Sequence, residues 1–560
     1  MAASVGRDYH PRLPVGHPLT YMYIDLSFKK IGSILLVCAM LWVTLLLTGN
    51  MKEHRYGSTP PFASVGLAWQ EVTLRAWYAI EGTFWKFSRN ANTATALTSK
   101  ELTFERNDSF EPARGIPVLT YHRVVSDDND LNNVTASAFR DQMLTLKRAG
   151  WETVSLEEYL AFVKGKRELP ERSFLITFDD GAKESFYPVD PLFQALDYEG
   201  VIYVIASAAQ TEESTYYLSS TEIKRMLKSG RWDIGSHSYD GHRPYQVSET
   251  RYDGIFFADK LWLSDKNRNE TEAEFSERVE HDLVRARHEL ELEYGVPINT
   301  FAFPLGNETG IEGAANFPEG APITERTAGN FYDVGFLQTN NQGYTFNFPQ
   351  NGFIARRIHV DHDWDGERLL REMESGLAKN LPYNDDFSEN KGWIPAWGAL
   401  DLGRNNLTLQ ANNDASSAST FLDGSAFWNN YSFDASLNWS NGSVFLLADV
   451  KDSKTYDSCA FSDGKIRLQS TRNGETQVLA EVEDDSITYS ADARMSIRVH
   501  DAVIECLWNY KSLVEAYDRT RTGGIGLQVW NPELGTASLQ VSDVLVRPYE
   551  TATSTTDIET

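Results

Sequence analysis

The spacing of hydrophobic and polar positions divides the chain into a mixed α/β part and a β-rich part. In the first part, short apolar runs typical of buried strands alternate with amphipathic segments typical of helices. These patterns predict strands at 116–124, 173–178, 201–205, 300–303, 334–338 and 353–360. They predict helices at 137–148, near 186–197 and from Thr271 to Gly295. Alternating strands and helices require a parallel sheet, and we expect this sheet to form a barrel.

The pattern changes after about residue 384, where helical periodicity ends and short alternating strands begin. Examples are 431–437 and 495–500, and turns rich in Asn, Gly and Asp separate such strands. The pattern predicts an all-β sandwich at 385–549. The last residues, 550–560, are rich in Thr and Ser, and we expect them to be disordered. A length of 560 residues agrees with two or three domains.

An apolar segment near the N-terminus is long enough to cross a membrane. Residues 31–48 carry no charge, and eighteen residues at ~1.5 Å rise each span a hydrocarbon core of ~30 Å. Lys and Arg are slightly more frequent before the segment than after it, which favours a cytoplasmic tail at 1–30. We therefore expect a single uncleaved transmembrane signal anchor, followed by a juxtamembrane stalk and linker at 49–112. A cleaved signal peptide, with secretion of the rest, is the alternative.

Charge and cysteine content restrict the partners and the compartment. With 52 basic and 79 acidic residues the net charge is −27, so nucleic acid and anionic membrane surfaces should repel the chain. Cys459 and Cys506 both lie in the β-rich part, and the sequence leaves open one disulfide in an oxidising compartment or two free buried thiols. Because the chain has no Cys-x-x-Cys motif, a thiolate zinc site or a redox site is not expected.

Two adjacent carboxylates directly follow the strand predicted at 173–178. Asp179 and Asp180 stand within a run from Thr177 to Gly181. Because consecutive side chains of a strand point to opposite sides, one carboxylate can bind a metal ion while the other faces a substrate water. An ordinary turn after a strand is the alternative for this motif taken alone.

Two further segments supply metal ligands and backbone donors. His237 and His242, five residues apart, lie in a loop flanked by Gly and Pro. Two imidazoles and one carboxylate form a familiar site for a catalytic divalent metal, with positions left open for water. The third segment, 300–306, is a short apolar strand that ends in a Pro-x-Gly turn suited to presenting backbone N–H groups. Solvent-exposed loop histidines and a plain strand exit are the alternatives when each segment is taken alone.

Together, and in this order, the three segments and the opening strand at 115–124 resemble the polysaccharide deacetylases. These are the family-4 carbohydrate esterases, which have a NodB-like homology domain. The branch that looks most similar is the one that de-N-acetylates biofilm poly-N-acetylglucosamine. The resemblance covers about residues 113–380. It implies a distorted (β/α) barrel of about seven strands, with the site at the carboxyl ends of those strands.

The resemblance also implies roles for the site residues. Asp179 would be the general base, and Leu305 would donate its backbone N–H to the oxyanion. The implied cofactor is a divalent metal, by default Zn²⁺ with Co²⁺ or Ni²⁺ as alternatives. The residues that would bind this metal are Asp180, His237 and His242. The expected partner is an acetylated polysaccharide, and the residues expected to contact it are Tyr121, His122, Pro304 and Arg357.

The sequence departs from the family pattern at three points. The two histidines are five residues apart, whereas much of the family has them four apart. Thr300 stands where the family often has an arginine that pairs with the base, and Arg356 or Arg357 is a candidate to replace that arginine. Many members have a late histidine that protonates the leaving amine, and we expect it at His359. The residues that would replace or orient His359 are Asp361, His362 and Asp363.

The β-rich part has a resemblance of its own. The segments 386–388, 524–527 and 541–544 are similar to parts of concanavalin-like jelly rolls, which suggests a carbohydrate-binding domain. The tryptophans that are candidates for stacking on sugar rings are Trp393, Trp397, Trp428, Trp439, Trp508 and Trp530. Most tryptophans of a sandwich belong to its core, so we expect one or two of the six to contact a ligand.

The sequence thus predicts a membrane-anchored, metal-dependent hydrolase that removes N-acetyl groups from an amino-sugar polysaccharide. The expected location is outside the cytoplasm, in a periplasm, at a cell surface or in a lumen. The substrates in view are poly-N-acetylglucosamine, chitin-like and similar polymers. Two alternatives stay open. An O-acetyl polysaccharide esterase has less need of a general acid, and a glycan-binding scaffold would keep the fold without activity.

Overall fold

A computed structural model describes residues 111–125, 132–210, 214, 216–305, 316–338, 343–349, 352–403, 405–489, 493–517 and 522–549. The predicted cytoplasmic tail, transmembrane anchor and C-terminal tail lie outside the described residues, as does nearly all of the predicted stalk. Within the described ranges, no helix combines the length and the apolar character that crossing a bilayer requires.

The α/β part is a sheet of mainly parallel strands with helices in the connections. Its strands are β1 (Ile116–Tyr121), β2 (Arg123–Val125), β3 (Asn133–Thr135), β4 (Glu152–Thr153), β5 (Ser173–Phe178), β6 (Gly200–Val204), β7 (Trp232–Ser236), β8 (Trp262–Leu263), β9 (Arg268–Asn269), β10 (Thr300–Ala302), β11 (Val334–Phe336), β12 (Phe346–Asn347), β13 (Ile354–Ala355) and β14 (Ile358–His359). Its helices are α1 (Ala136–Arg148), α2 (Leu156–Val163), α3 (Asp190–Leu196), α4 (Ala206–Ala209), α5 (Ser220–Lys228), α6 (Glu272–Tyr294), α7 (Gly320–Gly329) and α8 (Gly366–Ser375). A short 3-10 helix, Lys183–Ser185, follows β5.

The central strands form a nearly closed parallel barrel. Their order is β1-β5-β6-β7-β10-β11-β13, and each neighbouring pair runs parallel. β14 pairs in parallel with β1, at the other end of this series. Because only two residues separate β13 from β14, these short strands bring the two ends of the sheet together. The predicted barrel-like α/β fold is confirmed.

The hydrophobic pattern explains the most regular elements. All six residues of β1 and all six of β5 are buried, as expected for strands covered on both faces. Helix α6 begins at a capping box formed by Thr271 and Glu274 and ends at Gly295, whose φ of 67° is left-handed. The residues on its buried face include Phe275, Val279, Leu283 and Leu290.

Two predicted elements are divided in the structure. The helix expected near 186–197 is the 3-10 helix followed by the shorter α3. The strand expected at 353–360 is divided into β13 and β14. At the break, the side chain of Asn347 holds the backbone N–H and carbonyl of Arg356, both at 2.8 Å. The next residue, Arg357, is fully buried. The break therefore arises from polar contacts with distant segments, which leave no hydrophobic signature in the sequence.

The β-rich part consists of two large sheets with a shared core. Its strands are β15 (Tyr383–Asp385), β16 (Trp393–Trp397), β17 (Ala399–Gly403), β18 (Asn406–Gln410), β19 (Ser417–Leu422), β20 (Tyr431–Asn438), β21 (Ser443–Asp452), β22 (Thr455–Ser462), β23 (Lys465–Arg472), β24 (Glu475–Glu483), β25 (Ala493–His500), β26 (Val503–Trp508), β27 (Lys511–Tyr517), β28 (Gly524–Trp530) and β29 (Ser538–Pro548). The first sheet has the order β17-β18-β29-β20-β25-β26-β27, with β15 paired to β29. The second sheet has the order β16-β19-β28-β21-β22-β23-β24.

A disulfide connects the two sheets. It joins Cys459 on β22 to Cys506 on β26, so the structure takes the disulfide rather than the free thiols that the sequence also left open. Apolar side chains from both sheets surround this bond in one continuous core. The predicted β-rich C-terminal region is confirmed, and its two sheets pack as a sandwich.

The outer face of the second sheet contacts the barrel part. Phe421, Leu447 and Val450 lie on that face and form a buried cluster with Tyr344. The hydroxyl of Tyr344 donates to the carbonyl oxygen of Val450 at 2.9 Å. The barrel part and the sandwich therefore share a packed junction, in which the barrel covers a portion of the second sheet.

Candidate active site

The three sequence motifs meet at one edge of the barrel. Asp179 and Asp180 directly follow β5. His237 directly follows β7, and Leu305 lies three residues after β10. Because these strands are parallel, their carboxyl ends lie at the same edge, where barrel enzymes have their active sites. The cavity formed there is lined by His122, Arg123, Asn132, Asn133, Asp179, Asp180, Tyr216, His237, His242, Leu305 and Gln338.

Asp180, His237 and His242 form a candidate metal centre. Their ligand atoms all lie within 4.8 Å of one another. Nε2 of His242 lies 3.0 Å from Oδ1 of Asp180, and Nε2 of His237 lies 3.5 Å from the same atom. Nδ1 of His237 lies 2.8 Å from the carbonyl oxygen of Ala302. Because a carbonyl oxygen only accepts hydrogen bonds, Nδ1 carries the proton and Nε2 presents its lone pair to the centre.

This set of donor atoms fits a divalent cation. Two imidazole nitrogens and one carboxylate oxygen converge, which is a combination that binds Zn²⁺ and leaves coordination positions open. Oδ1 of Asp180 is buried and accepts no hydrogen bond of good geometry from the described residues. Burial acts to raise the pKa of Asp180, but His237 and His242 hold that pKa well below its ordinary value. The carboxylate is therefore ionised and suited to a cation.

A buried carboxylate on α6 holds the loop that carries both histidines. Asp282 accepts hydrogen bonds from the backbone N–H groups of Tyr239 and Asp240, at 2.9 and 3.1 Å. Burial raises the pKa of Asp282 to about 6. These two residues lie between His237 and His242, so the positions of the histidines depend on a helix residue that is 43 and 42 positions further along the chain than the two residues it holds. No sequence motif marks Asp282.

Three non-glycine residues of the site have a left-handed backbone conformation. φ is 70° at Asp180, 74° at Ser238 and 53° at Leu305. Such conformations are uncommon for residues with a side chain and cost on the order of 1–3 kcal/mol each. Each of the three motifs holds one left-handed residue, at a candidate ligand, next to one, or at the candidate oxyanion donor.

Asp179 is held by a bidentate ion pair with Arg357. Nη1 and Nη2 of Arg357 donate to Oδ1 and Oδ2 of Asp179, both at 2.7 Å. Burial alone would raise the pKa of Asp179, but the Arg357 guanidinium and His237 outweigh burial and lower that pKa below its ordinary value. Of the two arginines considered as partners of the base, Arg357 makes the pair. The carboxylate is ionised, oriented and adjacent to the candidate metal centre.

Two histidines lie close together where β1 and β14 end. The ring centroids of His122 and His359 are 5.6 Å apart. His122 lines the cavity, and burial lowers its pKa although Asp179 and Asp180 act to raise it. His359 is not among the described residues that line the cavity, and its Nδ1 lies 3.1 Å from Oδ1 of Asp361. The cavity thus presents His122, against which His359 packs.

Three residues expected to contact substrate do not line the cavity. Tyr121 is 1% exposed, and as the last residue of β1 it points into the core, where its hydroxyl donates to Gln142. Pro304 is also buried. Arg357 is fully buried and contacts Asp179. The prediction of substrate contacts is therefore corrected for these three residues, because their side chains belong to the interior.

The cavity also includes residues that no sequence motif marks. They are Arg123, Asn132, Asn133, Tyr216 and Gln338. The guanidinium carbon of Arg123 lies 5.3 Å from the centre of the Tyr216 ring, within the range of a cation–π contact. Arg123 directly follows His122, and this adjacency to a candidate residue is the only feature of the sequence that points to Arg123 as a residue of the cavity. The others come from the start of β3 and from two loops that the barrel brings together.

The comparison with protein families agrees with this geometry. Residues 166–311 match the family model described as polysaccharide deacetylase. All three motifs that carry the resemblance begin within the matched residues. The chain therefore contains a polysaccharide deacetylase domain.

Curated relatives are named poly-beta-1,6-N-acetyl-D-glucosamine N-deacetylase. The protein of Escherichia coli strain K12 is 25% identical over 214 residues, which are 36% of this chain and 32% of that protein. The protein of Staphylococcus aureus strain MRSA252 is 26% identical over 159 residues, which are 26% of this chain and 52% of that protein. The chain thus spans about a third of one relative and about half of the other. Among solved structures, a de-N-acetylase from Aggregatibacter actinomycetemcomitans is 18% identical with a TM-score of 0.38, covering 46% of this chain and 98% of that chain.

Proposed function

We propose that this protein is a metal-dependent hydrolase that removes N-acetyl groups from a poly-N-acetylglucosamine-like polysaccharide. The observation that carries the proposal is the position of Asp179, which is ionised, paired with Arg357 and directly beside the candidate metal centre. The deacetylase domain supports the reaction class, and the name of the curated relatives supports an acetylated amino sugar as the substrate.

The cofactor of the proposed reaction is a divalent cation, by default Zn²⁺. It would be held by Asp180, His237 and His242, whose donor atoms fit such an ion. When bound, it supplies Lewis-acid chemistry, which polarises the acetyl carbonyl and lowers the pKa of water.

The residues of the chain account for the first part of the reaction. Asp179 takes a proton from the attacking water, and Arg357 keeps both oxygens of that carboxylate in a fixed plane. As water attacks, negative charge develops on the acetyl oxygen. The backbone N–H of Leu305, which lines the cavity in a left-handed conformation, is the proposed donor to this oxygen.

The second part of the reaction requires a proton on the leaving nitrogen, because an amine anion does not depart unaided. We assign this proton to His122, since it lines the cavity together with Asp179. Because burial lowers the pKa of His122, its imidazole is neutral at rest, and we propose that it receives the proton that Asp179 removes from water and passes it to the nitrogen. His359 as the acid stays a prediction. His122→Ala and His359→Ala, compared on amide and ester substrates, separate the two assignments. The variant that lacks the acid should lose amide hydrolysis by about 10²–10⁴-fold and keep most of its ester hydrolysis.

The test of the reaction is acetate release by the full chain in detergent. The substrates are N-acetylglucosamine oligomers and acetylated xylan, each with and without a chelator. Chelator-sensitive release from the amide substrate is expected. Release only from the acetylated xylan would move the assignment to an O-acetyl esterase.

A variant of the base distinguishes an enzyme from a scaffold. Asp179→Asn should lower turnover by about 10²–10⁴-fold, the usual contribution of a general base, while glycan binding persists. A wild type that binds metal and glycan yet releases no acetate from either substrate would leave the scaffold as the explanation.

We also propose that the catalytic part lies outside the cytoplasm, attached to a membrane by residues 31–48. The Cys459–Cys506 disulfide supports an oxidising compartment, and the apolar segment has sufficient length for one span. Secretion after signal cleavage is the alternative. Protease treatment of intact cells that express the full chain should degrade the barrel part. Complete protection of that part would contradict the proposed location.

A further inference from the structure

Two of the six candidate tryptophans remain accessible in the folded sandwich. Trp530 is 39% exposed, and Trp397 is half-buried. The four tryptophans that belong to the core are Trp393, Trp428, Trp439 and Trp508. The two accessible tryptophans are therefore the candidates for contact with a ligand.

Both accessible tryptophans lie on the outer face of the second sheet. On β28, Val529 points into the core, so Trp530 points outward. On β16, the register shifts between Pro395 and Trp397, and a shift of this kind re-aims the following side chain. Nε1 of Trp397 consequently donates to Oγ of Ser417, at 3.0 Å. Ser417 is the direct cross-strand partner of Trp530.

Trp530 and its cross-strand partners form a row across the outer face of the sheet, and polar side chains continue it. Ser443 is the other cross-strand partner of Trp530, and its Oγ lies 2.7 Å from Oγ of Ser462. Gln528, two residues before Trp530, faces outward in the same way. We call these six residues the outer strip: Trp397, Ser417, Gln528, Trp530, Ser443 and Ser462. Adjacent strands are about 4.8 Å apart, so the two tryptophan positions are separated by about 10 Å.

The outer strip adjoins the junction with the barrel part. On β19, Ser417 and Phe421 point to the same side of the sheet and are four residues apart. Phe421 belongs to the cluster covered by Tyr344. At about 3.3 Å per residue, Ser417 lies about 13 Å from Phe421 along the strand. Gln528 lies closer to the junction, because its cross-strand partner Phe445 packs against the covered cluster. The part of the face that the barrel leaves uncovered is thus the part that carries the tryptophans.

We infer that the outer strip binds a neutral polysaccharide chain, and that this chain is the acetylated polymer of the proposed function, on which its identity rests. Indole faces pack against the apolar faces of sugar rings, and serine hydroxyls and a glutamine amide bond their hydroxyl groups. None of the six residues carries a charge, and beyond Ser462 the row continues to Lys465 and Glu483. Because Lys465 pairs with Glu481 and Glu483, the tryptophans lie at the uncharged end of the row, which suits the acetylated form of the polymer.

The junction lies near the amino end of β1, where β12 pairs with Ile116 and Pro117, whereas the cavity lies at the carboxyl ends of the strands. A polymer must therefore be long enough to run along the barrel if it is to occupy the strip and the cavity together. A polymer held by the sandwich is at high effective concentration for the cavity of the same molecule. Substrates long enough to reach the strip should gain from it, and short oligomers should not.

The test measures binding by the full chain in detergent, in the presence of chelator so that no turnover occurs. The probes are poly-β-1,6-N-acetylglucosamine and the same polymer after chemical deacetylation. Trp530→Ala and Trp397→Ala should each weaken binding of the acetylated polymer about tenfold or more, as expected for aromatic anchors that become buried when the ligand binds. Tyr517→Ala, which removes a ring that is 85% exposed on the first sheet, is the matched control and should leave binding unchanged.

Activity measurements distinguish this inference from the proposed function. Trp530→Ala should raise KM for the polymer and leave kcat, as well as the rate on short oligomers, unchanged. If the wild type releases no acetate while binding still depends on the tryptophans, the inference stands and the proposed function fails. If acetate is released and both tryptophan variants bind the acetylated polymer like the wild type, the inference fails alone.

Two further results would also overturn the inference. Binding of the deacetylated polymer is expected from the net charge of −27 and should not respond to the tryptophan variants. If the tryptophan variants weaken binding of the deacetylated polymer as much as binding of the acetylated polymer, the strip does not select the neutral form. A loss of oligomers in sedimentation of the double variant, without a change in polymer binding, would mean that the strip contacts a second copy of the chain.

Discussion

Asp179 and Arg357 are 178 positions apart in the sequence and form one buried, bidentate ion pair. A buried pair of this kind contributes little net stability compared with apolar residues, but removal of one partner leaves an uncompensated charge. Lysine does not replace arginine here, because an ammonium group cannot make two parallel bonds to one carboxylate. The value of the pair is therefore the fixed orientation of the base.

Arg357→Ala should lower the free energy of unfolding by about 3–5 kcal/mol, the usual effect of removing one partner of a buried pair. Acetate release should fall too, because Asp179 loses the group that orients it. Arg356→Ala is the matched control, since this half-buried neighbour makes no ion pair with Asp179 in the described structure. It should change stability by about 1 kcal/mol or less. Urea unfolding measures both variants, and equal losses would contradict the assignment.

The same pair predicts a pH dependence of stability. Although burial acts in the opposite direction, Arg357 and His237 lower the pKa of Asp179 below its ordinary value of 3.8. A carboxyl group with a lowered pKa stabilises the folded state above pH 3.8, and this contribution is lost as pH falls through the lowered value. In Arg357→Met the pKa should rise, because burial then acts without its main opponent, so the stability lost on acidification should be smaller than in the wild type. Unfolding free energies of chelator-treated protein between about pH 3 and about pH 7 test this, and superimposable profiles would refute it.

At the scale of elements, the site depends on where strands and helices end and on what holds the loops that follow. The candidate metal ligands come from loops after β5 and β7, and the second of these loops is held by α6 through Asp282. A carboxylate that accepts two backbone N–H bonds fixes both peptide planes at once. The helix thus acts as a support for the loop that carries His237 and His242.

Asp282→Ala should loosen this loop and lower metal affinity by about 10–100-fold, the usual range for groups that orient metal ligands. Glu280→Ala is the matched control, because it alters an exposed position of the same helix. Competition with a chromophoric chelator gives the Zn²⁺ affinity of each variant. If saturating Zn²⁺ restores acetate release to Asp282→Ala, the residue positions ligands and takes no part in the reaction. Unchanged affinity would show that the loop does not need this support.

The elements that could be predicted from the sequence are those with a local cause. Helix α6 follows from its capping box, its apolar face and Gly295, and β5 follows from six consecutive buried residues. The division between β13 and β14, the choice of Arg357 over Arg356 and the place of Tyr216 could not be predicted. Each of these depends on contacts between segments that are distant in the chain, and a single sequence does not record them.

At the scale of the whole molecule, two folded parts with separate cores share one packed junction. Only the sandwich has a covalent link between its layers, the disulfide between β22 and β26. Proteins with two cores commonly unfold in more than one transition. Removal of the disulfide should therefore lower the stability of the sandwich and leave the stability of the barrel part unchanged.

Replacing Cys459 and Cys506 together by alanine should destabilise the sandwich by about 4 kcal/mol, the chain-entropy estimate for a closed loop of this size. The disulfide spans a sequence separation of 47 residues. In calorimetry, the sandwich transition should move to lower temperature while the barrel transition and acetate release from short oligomers stay in place. Reductant should produce the same shift in the wild type. A matching shift of the barrel transition would contradict independent cores.

The two ends of the barrel meet through the residues from β13 to β14, and the same residues bring Arg357 to Asp179. A growing chain on the ribosome therefore has no oriented base until the segment through His359 has been made and has docked. A product truncated before this segment has an open sheet and leaves Asp179 without Arg357. Closure of the sheet and orientation of the Asp179 carboxylate are therefore a single event.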